Sequence, residues 1–259
     1  MLSNRIWEVN KMAVVFQKTK GLTDTPFTYC PGCTHGIIHR LVAECLEELD
    51  ILDRSIAIAS VGCSVMSYEF FNCDAIQAAH GRAPAVATGV KRVLPDKIVF
   101  TYQGDGDLAS IGTGEIVQAA HRGENITVIF VNNAIYGMTG GQMAPTTLPG
   151  QITTTSPYGR DVSKQGEPIR MSELMAQIPG AAYIERVMTA DPVSVRKAKR
   201  AIKKAFEIQK NGGGFSMIEI LSSCNIGWGL SPVDALKYIK EDMAAYFPLG
   251  VYKDKGAAQ

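Results

Sequence analysis

The stretches IVFTYQGDGD, residues 98–107, and ITVIFVNN, residues 126–133, decide how this chain folds. Ile98 to Tyr102 and Ile126 to Val131 are apolar runs of strand length. Each is closed by residues that break a strand, Gly104-Asp105-Gly106-Asp107 after the first and Asn132-Asn133 after the second. Leu108 to Arg122 between them reads as a helix. A strand–helix–strand unit brings its second strand back parallel to the first, so both carboxyl ends open on one edge of the sheet. Asp105 and Asn133 are therefore expected to face each other. A carboxylate, a side-chain amide and nearby carbonyls are the oxygen donors a small hard cation prefers. The glycines beside Asp105 let an anion approach the backbone and the helix amino end. Together they predict a seat for a metal-bridged diphosphate.

Working outward, Ile37, Ile38, Leu41, Val42, Cys45, Leu46 and Leu49 recur at helical spacing after Cys33. Ser55 to Val61 reads as a buried strand ending at Gly62-Cys63, and Pro84 opens a helix that runs through Ala85 to Val93. Tyr136 to Gly166, rich in Gly, Thr, Pro and Ser, is too long for a mere connector and is expected to cover a site or contact a partner. A short helix over Met171 to Gln177 and a strand over Ala182 to Val187 follow. Asp191-Pro192 caps a long helix that stops at Asn211 to Gly214; Phe215 to Leu221 is a last strand, and Ser231-Pro232 opens a terminal helix. The alternation predicts an α/β fold, a single doubly wound, mainly parallel sheet with helices on both faces. The expected organisation is an amino-terminal arm over 1–27, a binding domain over 28–230, and a helix and tail over 231–259. Ligands of such sheets bind beyond the carboxyl ends of the strands. Cys63, Asp105, Asn133 and Cys224 each fall just past such an end, which points to one composite site.

The 259 residues are 46% hydrophobic and 20% charged, the composition of a soluble globular protein. A formal charge of +1 argues against a global nucleic-acid or membrane-surface role. No apolar run approaches the roughly 20 residues that span a bilayer. The first residues lack the apolar core and cleavage site of a signal peptide, so the expected compartment is the cytoplasm. In that reducing setting the six cysteines are thiols, ligands or reactive groups rather than disulfides.

Cys30-Pro31-Gly32-Cys33 is a CxxC at a helix start. It could be a redox dithiol, half of a zinc site, or half of an iron–sulfur site whose other cysteines come singly. Cys63 and Cys224 are single and follow strand ends, which favours ligation of a metal or cluster. Cys45, on an apolar helix face, reads as core packing, and Cys73 likewise. GDGD alone is ordinary turn chemistry; the paired strand end at Asn132-Asn133 and the flexible Tyr136 to Gln142 raise its meaning. Arg196, Lys197, Lys199, Arg200, Lys203 and Lys204 form a basic set that could attract an acidic partner, though such a stretch is more often a solvated helix face.

GDGD, the Asn-Asn pair and YGMTGGQMAPTT (136–147) together resemble the thiamine-diphosphate motif of the 2-oxoacid:ferredoxin oxidoreductases. CPGC (30–33), VGCS (61–64), HGRA (80–83) and SSC (222–224) extend the likeness from Thr28 to Trp228, in the order of the β subunit. The resemblance implies Mg²⁺ bound by Asp105, Asn133 and the Ile135 carbonyl. It implies thiamine diphosphate lined by Cys63, Ser64, Gly104, Gly106, Asp107, Gly137, Met138 and Thr139. It also implies a [4Fe–4S] cluster on Cys30, Cys33, Cys63 and Cys224. His80 would face the cofactor or substrate, or else make a structural hydrogen bond. His35 would orient the cluster loop, and His39 and His121 read as surface or packing residues. The implied reaction is oxidative decarboxylation of a 2-oxoacid to acyl-coenzyme A and CO₂, with electrons leaving through the cluster to ferredoxin. An α subunit would complete the cofactor site, and a ferredoxin-like subunit would relay electrons.

Two departures stand out: Asn225-Ile226-Gly227 follows Cys224 where many relatives carry Pro, and Gly140 stands where some carry Lys. AHGRAPAVATGVKR and NIGWGLSP look most like the group acting on 2-oxoglutarate or branched-chain 2-oxoacids. The alternatives are a non-oxidative thiamine-diphosphate decarboxylase or carboligase, and a zinc-stabilised structural subunit that binds a nucleotide diphosphate.

Overall fold

A computed structural model describes residues 17–256. Seven strands form one sheet in the order β2-β1-β3-β4-β6-β5-β7. They are β1 Ser55–Ala59, β2 Asp74–Gln77, β3 Ile98–Gly104, β4 Thr127–Asn132, β5 Ala181–Met188, β6 Phe215–Leu221 and β7 Gly250–Asp254. All neighbours pair parallel except β5 and β7. The strands β1, β3, β4 and β6 are buried on both sides because both faces are covered. On one face Phe100, Tyr102, Ile129 and Val131 pack against the His35–Glu48 and Pro192–Lys210 helices. On the other, Val99, Val128 and Phe130 meet the Ala83–Val93, Thr113–His121 and Met171–Ala176 helices. The period-two split of each strand between the two cores is the doubly wound arrangement expected from the sequence.

The Pro192–Lys210 helix begins as its sequence predicts. Asp191 accepts from the N–H groups of Val193 at 2.9 Å and Ser194 at 2.8 Å, and Ser194 Oγ accepts in return from Asp191 N–H at 2.9 Å. Those bonds and Lys240 hold the Asp191 carboxyl at about 2.

Two strands escape the sequence reading. β2 is four exposed residues with no alternation, held only at the sheet edge by β1. β7 lies inside the segment expected to be helix and tail, and closes the far edge antiparallel to β5. The expected helix from Leu108 is also divided. Asp107–Ile111 is a wide π turn, and the α-helix starts only at Thr113, after Gly112. A Cβ on Gly112 would lie 2.6 Å from the Asp107 carbonyl oxygen and 2.7 Å from that of Gly81, so the kink brings two backbones into contact. Of the expected arm, residues 1–16 lie outside the described range; Thr23 N–H donates to Phe70 O and Asn72 N–H to Gly21 O, both at 2.9 Å, tying down the part that follows. No helix among the described residues is long and apolar enough to cross a membrane.

Candidate functional site

The chain steps from β1 out to β2 and returns past β1 to β3, so the switch point of the sheet lies between β1 and β3. Cys63 follows β1, Asp105 follows β3, Asn133 follows β4 and Cys224 follows β6. These four central strands are adjacent, and the four residues meet on one rim.

Asp105 is buried at its base. Its Oδ1 accepts from Gly106 N–H at 2.9 Å, and its Oδ2 accepts from Ile135 N–H at 3.1 Å and Thr146 Oγ1 at 2.9 Å. Burial pushes its carboxyl up to about 6 in spite of these donors. The Asn133 side-chain oxygen stands 2.7 Å from the Ile135 carbonyl oxygen and 3.3 Å from Asp105 Oδ2. Such crowding of acceptors is relieved either by turning the amide over, so that its nitrogen donates to both, or by a cation among the oxygens. Cations bound at about 2.0–2.1 Å in an octahedron keep neighbouring ligands about 3.0 Å apart. The observed spacings bracket that value, so the donor set fits Mg²⁺ in chemistry and in size.

Cys30, Cys33, Cys63 and Cys224 all line a cavity of about 810 Å³, together with Tyr29, His35, Trp228 and the apolar side chains of Ile152, Pro157 and Ile226. Burial raises the Cys33 thiol to about 11 and that of Cys224 to about 12, and raises Cys63 as well. Thiols so placed ionise only when positive charge is supplied, as a metal or cluster supplies it. Cys63 and Cys224 flank Gly137: a Cβ there would lie 3.9 and 2.9 Å from their sulfurs. Among the described residues, no three His, Cys, Asp or Glu side chains are already closed around a common metal position. The four thiols are thus gathered into one cavity, with the donor chemistry of an iron–sulfur site. Cys45 is buried in the core, its thiol donating to Lys199 O at 3.5 Å, and Cys73 packs against the same core.

A second cavity of about 430 Å³ adjoins the first, lined by Gly104, Gly106, His80, Tyr136 and Thr139. Cys63, Asn133, Gly137 and Met138 border both cavities. A Cβ on Gly106 would lie 2.4 Å from the Tyr136 ring, so glycine is required for the ring to pack on this backbone. His80 Nδ1 lies 2.7 Å from Asp107 Oδ1, which also accepts from Gly81 N–H at 2.7 Å. Because Asp107 is an acceptor, Nδ1 carries the proton and Nε2 is left free. Asp107 itself lines neither cavity: its other oxygen accepts from Gln103 Nε2 at 2.6 Å, so it acts by holding His80 and the Gly81 turn. Ser64 is buried and donates to Val61 O at 3.4 Å.

Several contributors were not legible in the sequence. Thr146 grips Asp105, and the Trp228 indole N–H donates to the Asn133 carbonyl at 3.0 Å. His35 and His39 are buried in an aromatic stack with Tyr29 and Tyr102, where His35 Nδ1 meets Tyr102 OH and His39 Nε2 meets Tyr29 OH, each at 2.7 Å. Burial lowers His35 to about 4 and also holds His39 well below its ordinary value. The long 136–166 segment does cover the site. It is pinned by the buried Arg160, whose guanidinium donates to the carbonyls of Pro145 at 2.9 Å and Thr147 at 2.7 Å.

Residues 60–220 match the family of the thiamine pyrophosphate enzyme, C-terminal TPP binding domain. The ketoisovalerate oxidoreductase subunit VorA of Methanothermobacter thermautotrophicus is 49% identical over 243 residues, 94% of this chain and 51% of that protein. The chain thus spans about half the length of such relatives. The 2-oxoglutarate synthase subunit KorB of Methanocaldococcus jannaschii is 40% identical, over 84% of this chain and 78% of its own. Among solved structures, a 2-oxoglutarate:ferredoxin oxidoreductase from Magnetococcus marinus, with 2-oxoglutarate, coenzyme A and succinyl-CoA bound, superposes with a TM-score of 0.76. That likeness has 27% identity and covers 96% of this chain and 88% of the other.

Proposed function

Since the chain belongs to the thiamine pyrophosphate enzymes, among the subunits of the 2-oxoacid oxidoreductases, we propose that it is the β subunit of a 2-oxoacid:ferredoxin oxidoreductase acting in the cytoplasm. The observation that carries this reading is the shared border of the two cavities, with oxygens gathered below one and thiols around the other. Asp105, Asn133 and the Ile135 carbonyl would hold Mg²⁺. Gly104, Gly106, Gly137, Met138 and Thr139 would take the diphosphate, and Cys30, Cys33, Cys63 and Cys224 a [4Fe–4S] cluster. When bound, thiamine diphosphate supplies the nucleophilic carbon and electron sink for decarboxylation, and the cluster a one-electron outlet. This chain's own part is positional. Asp105 and the 133–135 turn orient the diphosphate leg, the 136–166 cover limits water, and His80 presents Nε2 for holding or moving a proton. An α subunit completes the cofactor site, a ferredoxin-like subunit or ferredoxin takes the electrons, and coenzyme A takes the acyl group.

The substrate we propose is a branched-chain 2-oxoacid rather than 2-oxoglutarate. The apolar wall of Ile152, Pro157, Ile226 and Trp228 suits an apolar side chain, and the ketoisovalerate relative has the higher identity. Two measurements test the proposal. The native complex, purified without oxygen, should turn over 2-oxoisovalerate faster than 2-oxoglutarate or pyruvate; a preference for 2-oxoglutarate overturns the substrate. Asp105→Ala should abolish Mg²⁺-dependent thiamine diphosphate binding while sparing the cluster spectrum, and unchanged affinity would remove the metal assignment.

A further inference from the structure

Glu219 lies in the middle of β6 with no exposed surface, and nothing in the proposed chemistry uses it. A carboxylate is costly to bury unless it is fully partnered, and its partners lead back to the cofactor rim. Oε2 accepts from the Ser172 N–H at 3.2 Å and from the Ser172 hydroxyl, and it lies 2.9 Å from Arg186 Nε in an ion pair without hydrogen-bond geometry. Arg186 is anchored in turn to the Pro248 carbonyl at 3.1 Å and the Tyr252 hydroxyl at 2.7 Å. Oε1 accepts from Asn132 Nδ2 at 2.8 Å.

That last bond fixes which way the Asn132 amide points. Its oxygen is left to accept from Ala134 N–H at 3.1 Å, closing a tight turn. Ala134 has φ +57°, a left-handed conformation that an alanine holds only when its surroundings impose it. Thr147 Oγ1 and Gln151 Nε2 add bonds to its carbonyl at 2.7 and 3.2 Å. The turn brings the Asn133 side chain and the Ile135 carbonyl together at 2.7 Å, with Asp105 Oδ2 3.3 Å from the Asn133 amide.

We infer that Glu219 is a positioning residue for the cation seat: its carboxylate clamps Asn132, which locks the left-handed Ala134 turn and so spaces the Asn133 and Ile135 oxygens. The inference rests on the reading of Asp105, Asn133 and Ile135 as that seat. Outer partners of this kind typically account for about 10–100-fold in metal affinity.

Asn132→Ala and Glu219→Gln in the assembled complex test it, with Mn²⁺ and thiamine diphosphate as probes. In Asn132→Ala the Mn²⁺ concentration for half-maximal cofactor binding should rise roughly 10–100-fold. Iron content should stay unchanged, and cofactor binding should return at saturating Mn²⁺. Glu219→Gln should move the requirement in the same direction. A lowered thermal midpoint with an unmoved Mn²⁺ requirement in Asn132→Ala overturns the inference, and that variant decides alone if Glu219→Gln does not assemble. Wild-type complex that binds thiamine diphosphate without any divalent cation sinks the seat itself, which is a different failure.

Discussion

Gly227→Ala is the sharpest probe of the thiol cavity, because its methyl meets one proposed cluster ligand, Cys224, and beside it the Ile135 side chain rather than the Ile135 carbonyl proposed for the cation. Gly227 lies in the single helical turn Asn225–Trp228 that Cys224 caps. A methyl built there stands 2.8 Å from Cys224 Sγ and 3.3 Å from Ile135 Cγ2, so it is wedged between the thiol and the 133–135 turn. Ordinary contact is about 3.5–4.0 Å, so the sulfur must retreat by roughly 0.7–1.2 Å. Metal–ligand distances tolerate only about 0.2 Å, so a sulfur that yields this far is lost as a ligand. If the backbone yields instead, overpacking costs about 1–3 kcal/mol and should lower the thermal midpoint. The assay is iron and acid-labile sulfide in the complex purified without oxygen, with visible absorption and the thermal midpoint recorded alongside. Gly114→Ala is the control, since a methyl there meets nothing within 4 Å. Iron should fall well below wild type in Gly227→Ala and stay at wild type in Gly114→Ala. A full iron complement, an unaltered spectrum and an unmoved thermal midpoint in Gly227→Ala would together refute Cys224 as a ligand in the place it occupies.

Other outcomes follow from the same geometry. Cys63→Ser should lose iron, whereas Cys45→Ser should keep it and only lower stability, by about 1–3 kcal/mol; iron content in parallel preparations checks both. His80→Gln should reduce turnover by about 10²–10⁴-fold if Nε2 handles a proton, with Asp107→Asn in the same direction, and steady-state rates at saturating cofactor decide. His35, held to about 4 by burial, binds a proton later than its unfolded counterpart near 6.5. Between those values the unfolded chain carries more protons, so this group's contribution is whole above pH 6.5. It is lost as pH falls, by up to about 1.4 kcal/mol per unit. Urea unfolding of wild type against His35→Gln should show that slope as a difference between the two, and parallel pH dependences would contradict it.

The four central strands could be read from sequence because each is a predominantly apolar run of strand length, as two-sided burial requires, with β1, β3 and β4 closed soon after by Gly or Asn. The rim could be read for the same reason, since parallel strands place their last residues together. What escaped had no such mark. β2 is short, exposed and defined only by its partner, and β7 depends on a return across the whole sheet. His39 read as a surface or packing residue and does pack, but the aromatic residues that enclose it, Tyr29, Phe71 and Tyr102, are far apart in sequence and so could not be named in advance. Thr146 and Trp228 reach the site only through three-dimensional return of a loop and a one-turn helix. Glu219 was hidden differently: a charged residue inside an apolar strand run is noticed only when its partners are known.

Cys63, Asn133, Gly137 and Met138 form the partition that both chambers lean on. Changes to it should be felt on each side at once, so oxidative damage to the sulfur chamber and failure to retain the vitamin-derived coenzyme should appear as one syndrome rather than two. An engineer wishing to alter one chamber would do well to work from the far walls, at Ile152 or at Ser110, and leave the divider untouched.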